Sequence, residues 1–377
     1  MKIPMLDLKA QYTCIKPKID KAVEDVFESQ YFILGPKVEE LEAKIAHYSE
    51  ASHAVGVSSG TDALLICLMA LDIEPDDEVI TTPFSFFSTA GVISRLNAIP
   101  KFVDIDPVTY NLEPKKLKSA ITRRTKAVIP VHLFGQCVDM DPILELSSQH
   151  QLPVIEDAAQ SIGAQYKNRK AGSMGDLGIF SFFPSKNLGG AGDGGMVTTQ
   201  NPSLYEKLKI LRVHGSQQKY YHKMVGGNFR LDALQAAVLL VKLQYLDSWS
   251  EKRCQNASHY NQLFERSGLI KKGLVKTPKT VYKDSGDPNH HIFNQYTIRA
   301  QSRDKLRAHL QDQGISTAIY YPVPFHLQEC YQDLGYLKGD FPEAEKASQE
   351  VLSLPVFPEL TCDQQEYIVD KIKEFYS

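Results

Sequence analysis

Between residues 52 and 200, short apolar runs alternate with stretches in which apolar residues recur at helical spacing. The apolar runs predict strands at residues 78–82, 100–104, 127–131, 153–156, 178–182 and 195–199. The stretches between them predict helices at residues 61–71, 88–96, 114–120 and 139–150. This alternation is typical of an α/β fold with a mainly parallel sheet that is covered by helices on both faces.

The pattern changes after about residue 230. Apolar positions from Leu231 to Trp249 keep helical spacing and predict one long helix. The polar, turn-rich residues 277–290 predict a mobile loop, and a strand at 293–299 and a helix at 304–313 follow. A chain of 377 residues is long for one core. We therefore expect a large α/β domain over residues 1–247, with an N-terminal helical segment, and a smaller C-terminal α/β domain over 248–377.

Charge and cysteine content narrow the range of partners. The net charge is −3, from 42 basic and 45 acidic residues without long runs of one sign, which argues against a nucleic-acid or polybasic membrane partner. The six cysteines are scattered, without zinc spacing, as expected of free thiols in a reducing compartment. The N-terminus lacks the apolar segment of a signal peptide, so we expect a cytoplasmic protein. Because no cluster of cysteines and histidines has zinc spacing, we expect no metal site.

Three motifs stand after an apolar run or at the end of a predicted strand, where ligands gather in parallel sheets. In the first, SSGTDAL at residues 58–64, Gly60 and Thr61 open a helix whose free backbone N–H groups can bind a phosphate. An ordinary helix N-cap explains this motif equally well. The second motif, EDAAQ at 156–160, has two carboxylates that could pair with a protonated ring nitrogen. Its alternative is an N-cap aspartate in a strand–helix loop.

The third motif, FSFFPSKNLGG at 180–190, has Lys186 just beyond an apolar strand, among aromatic residues and glycines. Such a lysine can lose its proton at modest cost and attack a carbonyl as a free amine. A solvated loop charge is the alternative. The glycine run at 189–195 lacks the order of a phosphate-binding P-loop and predicts tight turns in a site wall.

Together the motifs supply a phosphate cup, an acidic partner for a ring nitrogen and a Schiff-base lysine, which a pyridoxal phosphate (PLP) site requires. With GGNFRLD at residues 226–232, their order resembles that of the DegT-type sugar aminotransferases, fold type I PLP-dependent transferases, over nearly the whole chain. The resemblance implies these cofactor contacts: Lys186 for the Schiff base, Asp157 for the ring nitrogen, Gln160 near the ring hydroxyl, Gly60, Thr61 and Ser181 for the phosphate, and Phe86 for stacking on the ring.

The resemblance also implies a homodimer with shared active sites, because Asn228 matches a residue that reaches the phosphate of the neighbouring subunit. A core role for Phe86 and a turn role for Asn228 remain open. The implied chemistry is transfer of the amino group of L-glutamate to a keto-sugar linked to UDP or dTDP, with Lys186 and Asp157 catalytic. Lipopolysaccharide or other cell-surface glycan synthesis is the implied pathway.

The motif VHLFGQC at residues 131–137 is similar to that of relatives that aminate carbon 3 of the sugar. Arg230, Tyr320 and Tyr321 are the expected substrate contacts, and Arg230 could bind a carboxylate or diphosphate. Relatives that use uronic acids usually carry a His–Tyr pair where this chain has Tyr320 and Tyr321, so a neutral keto-sugar stays open. The alternatives are a PLP-dependent sugar dehydratase, which Lys186 disfavours, a 4-keto-sugar aminotransferase, and a non-catalytic regulatory protein.

Overall fold

The computed structural model describes all 377 residues. The helices, in chain order, are α1 (Leu8–Ser29), α2 (Pro36–Tyr48), α3 (Gly60–Ala70), α4 (Ser88–Arg95), α5 (Pro114–Ala120), α6 (Met140–Gln149), α7 (Pro202–Leu211), α8 (Ala233–Leu243), α9 (Leu246–Ser267), α10 (Arg303–Asp312), α11 (Pro342–Glu350) and α12 (Cys362–Phe375). None of them is both long and apolar enough to cross a bilayer.

The strands are β1 (His53–Val57), β2 (Glu78–Thr81), β3 (Ile99–Phe102), β4 (Thr125–Val128), β5 (Ile155–Asp157), β6 (Gln165–Tyr166), β7 (Arg169–Lys170), β8 (Leu177–Ser181), β9 (Gly195–Thr199), β10 (Ser216–Gln218), β11 (Tyr221–His222), β12 (Val275–Lys276), β13 (Tyr296–Ala300) and β14 (Val351–Leu354). Strands β6 and β7 form one small antiparallel pair, and β10 and β11 form another.

Seven strands form the central sheet, in the order β3-β2-β4-β5-β8-β9-β1. Strand β2 pairs in parallel with β3 and β4, and β5 pairs in parallel with β8. Parallel bridges from Val128 to Val154 and from Val131 to Asp157 join the two groups. Only β9 runs in the direction opposite to the other six strands, and it pairs antiparallel with both β8 and β1. The sheet is therefore mainly parallel, and both of its faces are buried under helices.

Each face of the sheet has its own apolar core. On one face, Leu41 and Ile45 of α2 pack with Ile143 of α6 and Leu239 of α8. On the other face, α3 lies against β8 and β9 beneath α4 and α7. Eight of the eleven residues of α3 are buried, because this helix has neighbours on nearly every side. The predicted α/β fold with helices on both faces is confirmed.

The predicted strands and helices of residues 52–200 are found within two or three residues of their observed ends. The single long helix predicted from 231 to 249 is wrong, because the chain breaks into α8 and α9 at Gln244 and Tyr245. Both helices bury an apolar stripe, so the helical spacing of apolar residues continues from α8 into α9. This spacing therefore does not reveal the break between the two helices. The predicted loop at 277–290 is anchored, since Val281 N donates to Gln136 and Asn168 N donates to Asp287.

The C-terminal part of the chain has its own three-stranded sheet, β12-β13-β14, packed against α9, α10 and α12. Ile3, at the other end of the chain, joins this apolar core and forms a parallel bridge with Ile315. The division at residues 247 and 248 stays a prediction, and it falls in the first turn of α9.

A carboxylate after β3 ties the two parts together. Asp104 is 3% exposed and accepts hydrogen bonds from Glu343 N (3.2 Å) and Ala344 N (3.0 Å), in the first turn of α11. It also accepts from Lys116 Nζ at 3.1 Å. A helix N-terminus has unpaired N–H groups and a positive dipole end, so Asp104 acts as a cap supplied from a distant segment.

We expect Asp104→Ala to lower the free energy of unfolding by roughly 2 kcal/mol, because it removes a helix cap and leaves buried N–H groups unpaired. The matched control is Lys116→Ala, which removes only a half-exposed partner and should cost below about 1 kcal/mol. Urea unfolding followed by circular dichroism measures both. Equal losses for the two variants would contradict the capping role.

Candidate active site

A cavity of about 380 Å³ lies at the carboxyl ends of the central strands, where the loops after β5 and β8 meet the start of α3. Its walls include Ser59, Gly60, Thr61, Ser85, Phe86, Asp157, Gln160, Ser181, Ser185, Lys186, Asp193, Gln295, Tyr320 and Tyr321. A wider, shallow groove of about 1080 Å³, beside α6 and the start of α7, holds none of the predicted residues. The cavity is therefore the candidate active site.

One end of the cavity is built for an anion. Gly60 is the first residue of α3, and Ser59 caps the helix by accepting a hydrogen bond from Asp62 N at 3.0 Å. The N–H groups of the first turn have no partner within the helix. Gly60 lies so close to Ser181 that an added Cβ would stand 2.7 Å from the serine Cβ. This close approach brings the Ser181 hydroxyl to the same helix N-terminus, as a phosphate cup needs.

The two adjacent carboxylates at the end of β5 have different partners. Glu156 is fully buried and accepts from Gly172 N, Met174 N and Gly175 N and from the His132 ring. It has no free acceptor position and holds the loop before β8. Asp157 instead lines the cavity. Of the two carboxylates that the sequence offered for a ring nitrogen, only Asp157 is placed to bind one.

Asp157 accepts one hydrogen bond on each oxygen, from Thr89 Oγ1 at 2.8 Å and from Ala159 N at 3.2 Å. Each oxygen keeps a free lone pair. Burial raises the pKa of Asp157, while the two hydrogen bonds and the nearby Lys186 and His132 act to lower it. A positively charged N–H in the cavity would favour its ionised form further.

Lys186 lies in the turn after β8, where its backbone N–H donates to Phe183 O at 2.9 Å. Burial lowers the pKa of its amine to about 8, and the negative charge of Asp157 opposes that shift. Near neutral pH a far larger fraction of this amine is therefore unprotonated than of an ordinary lysine, and the unprotonated amine is the form that attacks a carbonyl. The alternative of an ordinary solvated lysine does not fit this environment.

Gln160 and Tyr321 share a hydrogen bond across the cavity wall. Gln160 Oε1 accepts from Phe134 N at 2.8 Å, so its Nε2 faces Tyr321 and donates to that hydroxyl at 3.0 Å. Burial raises the pKa of Tyr320 and Tyr321, so both phenols keep their protons at neutral pH. Phe86 also lines the cavity and is 57% exposed, which does not fit a core role.

Two of the predicted residues lie outside the cavity of their own chain. Arg230 Nε donates to Asn228 Oδ1 at 2.8 Å, and neither residue is among the cavity walls. The assignment of Asn228 to the phosphate of a neighbouring subunit and of Arg230 to the substrate, like the roles of the other site residues, stays a prediction.

Sequence reasoning missed Thr89, Ser85, Asp193 and Gln295, which contact Asp157 or line the cavity. For Thr89 and Ser85 there was a signal, because both follow a predicted strand, Ser85 in the loop before a helix and Thr89 in the first turn of that helix. Gln295 gave none, since it comes from the C-terminal part of the chain and reaches the cavity only through tertiary packing.

The residues of the cavity fit PLP. A helix N-terminus with a serine hydroxyl suits the phosphate, Asp157 has acceptor capacity for the ring nitrogen, and Lys186 offers an amine of lowered pKa. The phenyl ring of Phe86 and the amide of Gln160 lie in the same walls.

Comparison with known proteins agrees with this geometry. A model of the DegT/DnrJ/EryC1/StrS aminotransferase family matches residues 13–373. The chain is 52% identical over 376 residues to a protein named pleiotropic regulatory protein from Geobacillus stearothermophilus, covering 100% of this chain and 99% of the relative. It is 43% identical over 375 residues to the dTDP-3-amino-3,4,6-trideoxy-α-D-glucose transaminase of Streptomyces venezuelae, covering 99% and 96%.

A third relative, the UDP-N-acetyl-3-dehydro-α-D-glucosamine 3-aminotransferase of Acidithiobacillus ferrooxidans, is 42% identical over 371 residues, covering 98% of this chain and 97% of the relative. Among solved structures, S. venezuelae DesV in complex with a ketimine intermediate has a TM-score of 0.93 at 41% identity and covers 99% of this chain and 98% of its own.

The fold and the site define a fold type I PLP-dependent transferase. The chain belongs to the DegT/DnrJ/EryC1/StrS aminotransferase family, and the resemblance seen in its motifs is confirmed.

The lowered pKa of Lys186 predicts how the apoenzyme captures PLP. Below about pH 8 the amine is protonated, so the rate of capture should rise with pH through about 8 and then level off. Asp157→Asn should move this rise to lower pH, because it removes the negative charge that raises the pKa of Lys186. Stopped-flow absorbance measures the rates. A midpoint near the ordinary lysine value of 10.5 would contradict the prediction.

Proposed function

We propose that this enzyme transfers the amino group of L-glutamate to the carbon 3 keto group of a sugar linked to UDP or dTDP. The observation that carries the proposal is the placement of Lys186, Asp157 and the N-terminus of α3 around one cavity. Two relatives with above 40% identity over nearly their full length are named for amination at carbon 3 of a nucleotide-linked sugar, one with dTDP and one with UDP.

Each residue has a task in this reaction. PLP, when bound, supplies an electron sink for the carbanion formed at the carbon next to the nitrogen. Asp157 keeps the ring nitrogen protonated and so keeps that sink strong. Lys186 would hold the cofactor and, as a free amine, would carry the proton from the donor carbon as a general base. Ser181, Gly60 and Thr61 hold the phosphate.

The C-terminal part supplies the wall for the sugar. Tyr320, Tyr321 and Gln295 line the cavity there and are all neutral. Two protonated phenols and an amide can donate to and accept from sugar hydroxyls. This wall suits a neutral keto-sugar, while Arg230 of a neighbouring subunit is the group available for a carboxylate or a diphosphate.

The alternatives are weaker. A dehydratase is disfavoured because Lys186 stands at the position where that branch of the family typically has another residue. The relative named pleiotropic regulatory protein raises regulation as a second function. A purely regulatory protein needs neither an amine of lowered pKa nor a carboxylate with free acceptor capacity in one cavity, so catalysis explains more of this site.

We infer that the enzyme is a homodimer with shared sites. Apolar side chains are exposed on α1 and next to it, including Leu8, Tyr12, Phe27 and Tyr31, as an interface would require. All six cysteines are free, which fits the expected cytoplasmic location. A role in lipopolysaccharide synthesis is the pathway we expect.

The first test is the absorbance spectrum of the purified protein with PLP, before and after L-glutamate. We expect a visible band that glutamate converts to a near-ultraviolet band, and loss of both signals in Lys186→Ala. With the keto-sugar added, the visible band should return. A bound chromophore that ignores glutamate would refute the proposed amino donor, and no binding of PLP would refute the function.

Mixed dimers test the shared site. Lys186→Ala and Asn228→Ala should each lose most activity alone, and a mixture that is denatured and refolded together should recover up to about a quarter of the wild-type rate. Recovery follows because half of the dimers are mixed and each then holds one intact site. A mixture no more active than its two components would contradict a site built from both subunits.

A further inference from the structure

Two buried hydroxyls lead to the carboxylate of Asp157. Thr89 Oγ1, in the first turn of α4, is 2.8 Å from Asp157 Oδ2, and Ser85 Oγ is 3.2 Å from Thr89 Oγ1. Thr89 is fully buried and Ser85 is 2% exposed. Ser85 also lines the cavity, so this chain of hydroxyls lies directly behind the predicted ring-nitrogen partner.

The direction of these hydrogen bonds follows from counting protons. An ionised carboxylate can only accept, so Thr89 donates its single proton to Asp157. The remaining contact then requires Ser85 to donate to Thr89. Both dipoles therefore point towards Asp157 and stabilise its negative charge, and hydrogen bonds of this kind strengthen one another in a buried site.

The partner of Thr89 is unusual for its position in the chain. A threonine within a helix commonly donates to a carbonyl three or four residues earlier. Thr89 donates instead to a side chain 68 residues away. This bond orients the Asp157 carboxylate together with Ala159 N, which holds the other oxygen at 3.2 Å.

The charged and titratable groups around Asp157 are few. Lys186 and His132 favour its ionised form, and burial opposes that form. Val138 N donates to His132 Nδ1, and His132 Nε2 lies 2.9 Å from Glu156 Oε2, so the ring is held by partners other than Asp157. Tyr321 is also near, and it stays neutral because burial raises its pKa. Thr89 is thus the one uncharged side chain that donates directly to Asp157.

We propose that Thr89, supported by Ser85, is a positioning residue that keeps Asp157 ionised and aimed at the ring nitrogen of the cofactor. This inference rests on the proposed function. Without the Thr89 proton, the carboxyl group would hold a proton more tightly, the ring nitrogen would lose its own, and the electron sink would weaken.

The test compares Thr89→Val with Thr89→Ser, which keeps the hydroxyl, and with Thr81→Val. Thr81 is a matched control because it is also fully buried, and its hydroxyl donates to Ile129 O rather than to Asp157. The readouts are the pH midpoint of the visible absorbance of the PLP-loaded protein and the rate at which glutamate removes that absorbance.

In Thr89→Val the midpoint should rise by about half a pH unit or more, because a ring without its positive charge lets the attached nitrogen of Lys186 keep its proton to higher pH. The glutamate-driven change should slow about tenfold. Thr89→Ser and Thr81→Val should react with glutamate within about twofold of the wild-type rate. The pH midpoint of their visible absorbance should equal that of the wild type.

An unchanged midpoint and rate in Thr89→Val would overturn the inference, and so would an equal shift in Thr81→Val. If Thr89→Val does not fold, Ser85→Ala takes its place as the test. We expect Ser85→Ala to raise the pH midpoint by a smaller amount, and an unchanged midpoint would refute the role. If the wild-type protein binds no PLP, the proposed function is overturned as well. If the wild type responds to glutamate as expected and Thr89→Val has the same midpoint and rate, only this inference is overturned.

Discussion

The site depends on the electrostatic relation between Asp157 and Lys186 within one buried cavity. Burial disfavours charge on each group, and the opposite charge of the other restores part of what burial removes. This balance leaves the amine able to exist without its proton and the carboxylate able to stay ionised when a cationic ring nitrogen adds its charge.

The parallel sheet makes this relation possible. Asp157 ends β5 and Lys186 follows β8, and β5 and β8 pair directly. Because parallel strands end at the same edge, two residues far apart in sequence meet there without a dedicated contact. The N-terminus of α3 reaches the same edge, where the lack of a side chain on Gly60 lets the helix approach Ser181.

Buried polar contacts behind the cavity separate residues that look alike in the sequence. Glu156 and Asp157 are adjacent in the sequence and both carry a carboxylate. Every acceptor position of Glu156 is used, by three backbone N–H groups of the loop before β8 and by the ring of His132. Asp157 has only two donors and faces the cavity. The C-terminal part completes the wall, and the Asp104 cap on α11 helps to fix its position.

The sequence by itself determined the α/β class, most strand and helix positions between residues 52 and 200, and the three motifs, because apolar periodicity and glycine, lysine and carboxylate placement are local properties. Tertiary structure decided the rest. It separated Asp157 from Glu156, broke the predicted long helix at Gln244 and Tyr245, and brought Thr89 and Gln295 to the site. The contacts that separate the two carboxylates span 16 to 24 positions of chain, and the Thr89–Asp157 contact spans 68, so no local pattern records these pairings.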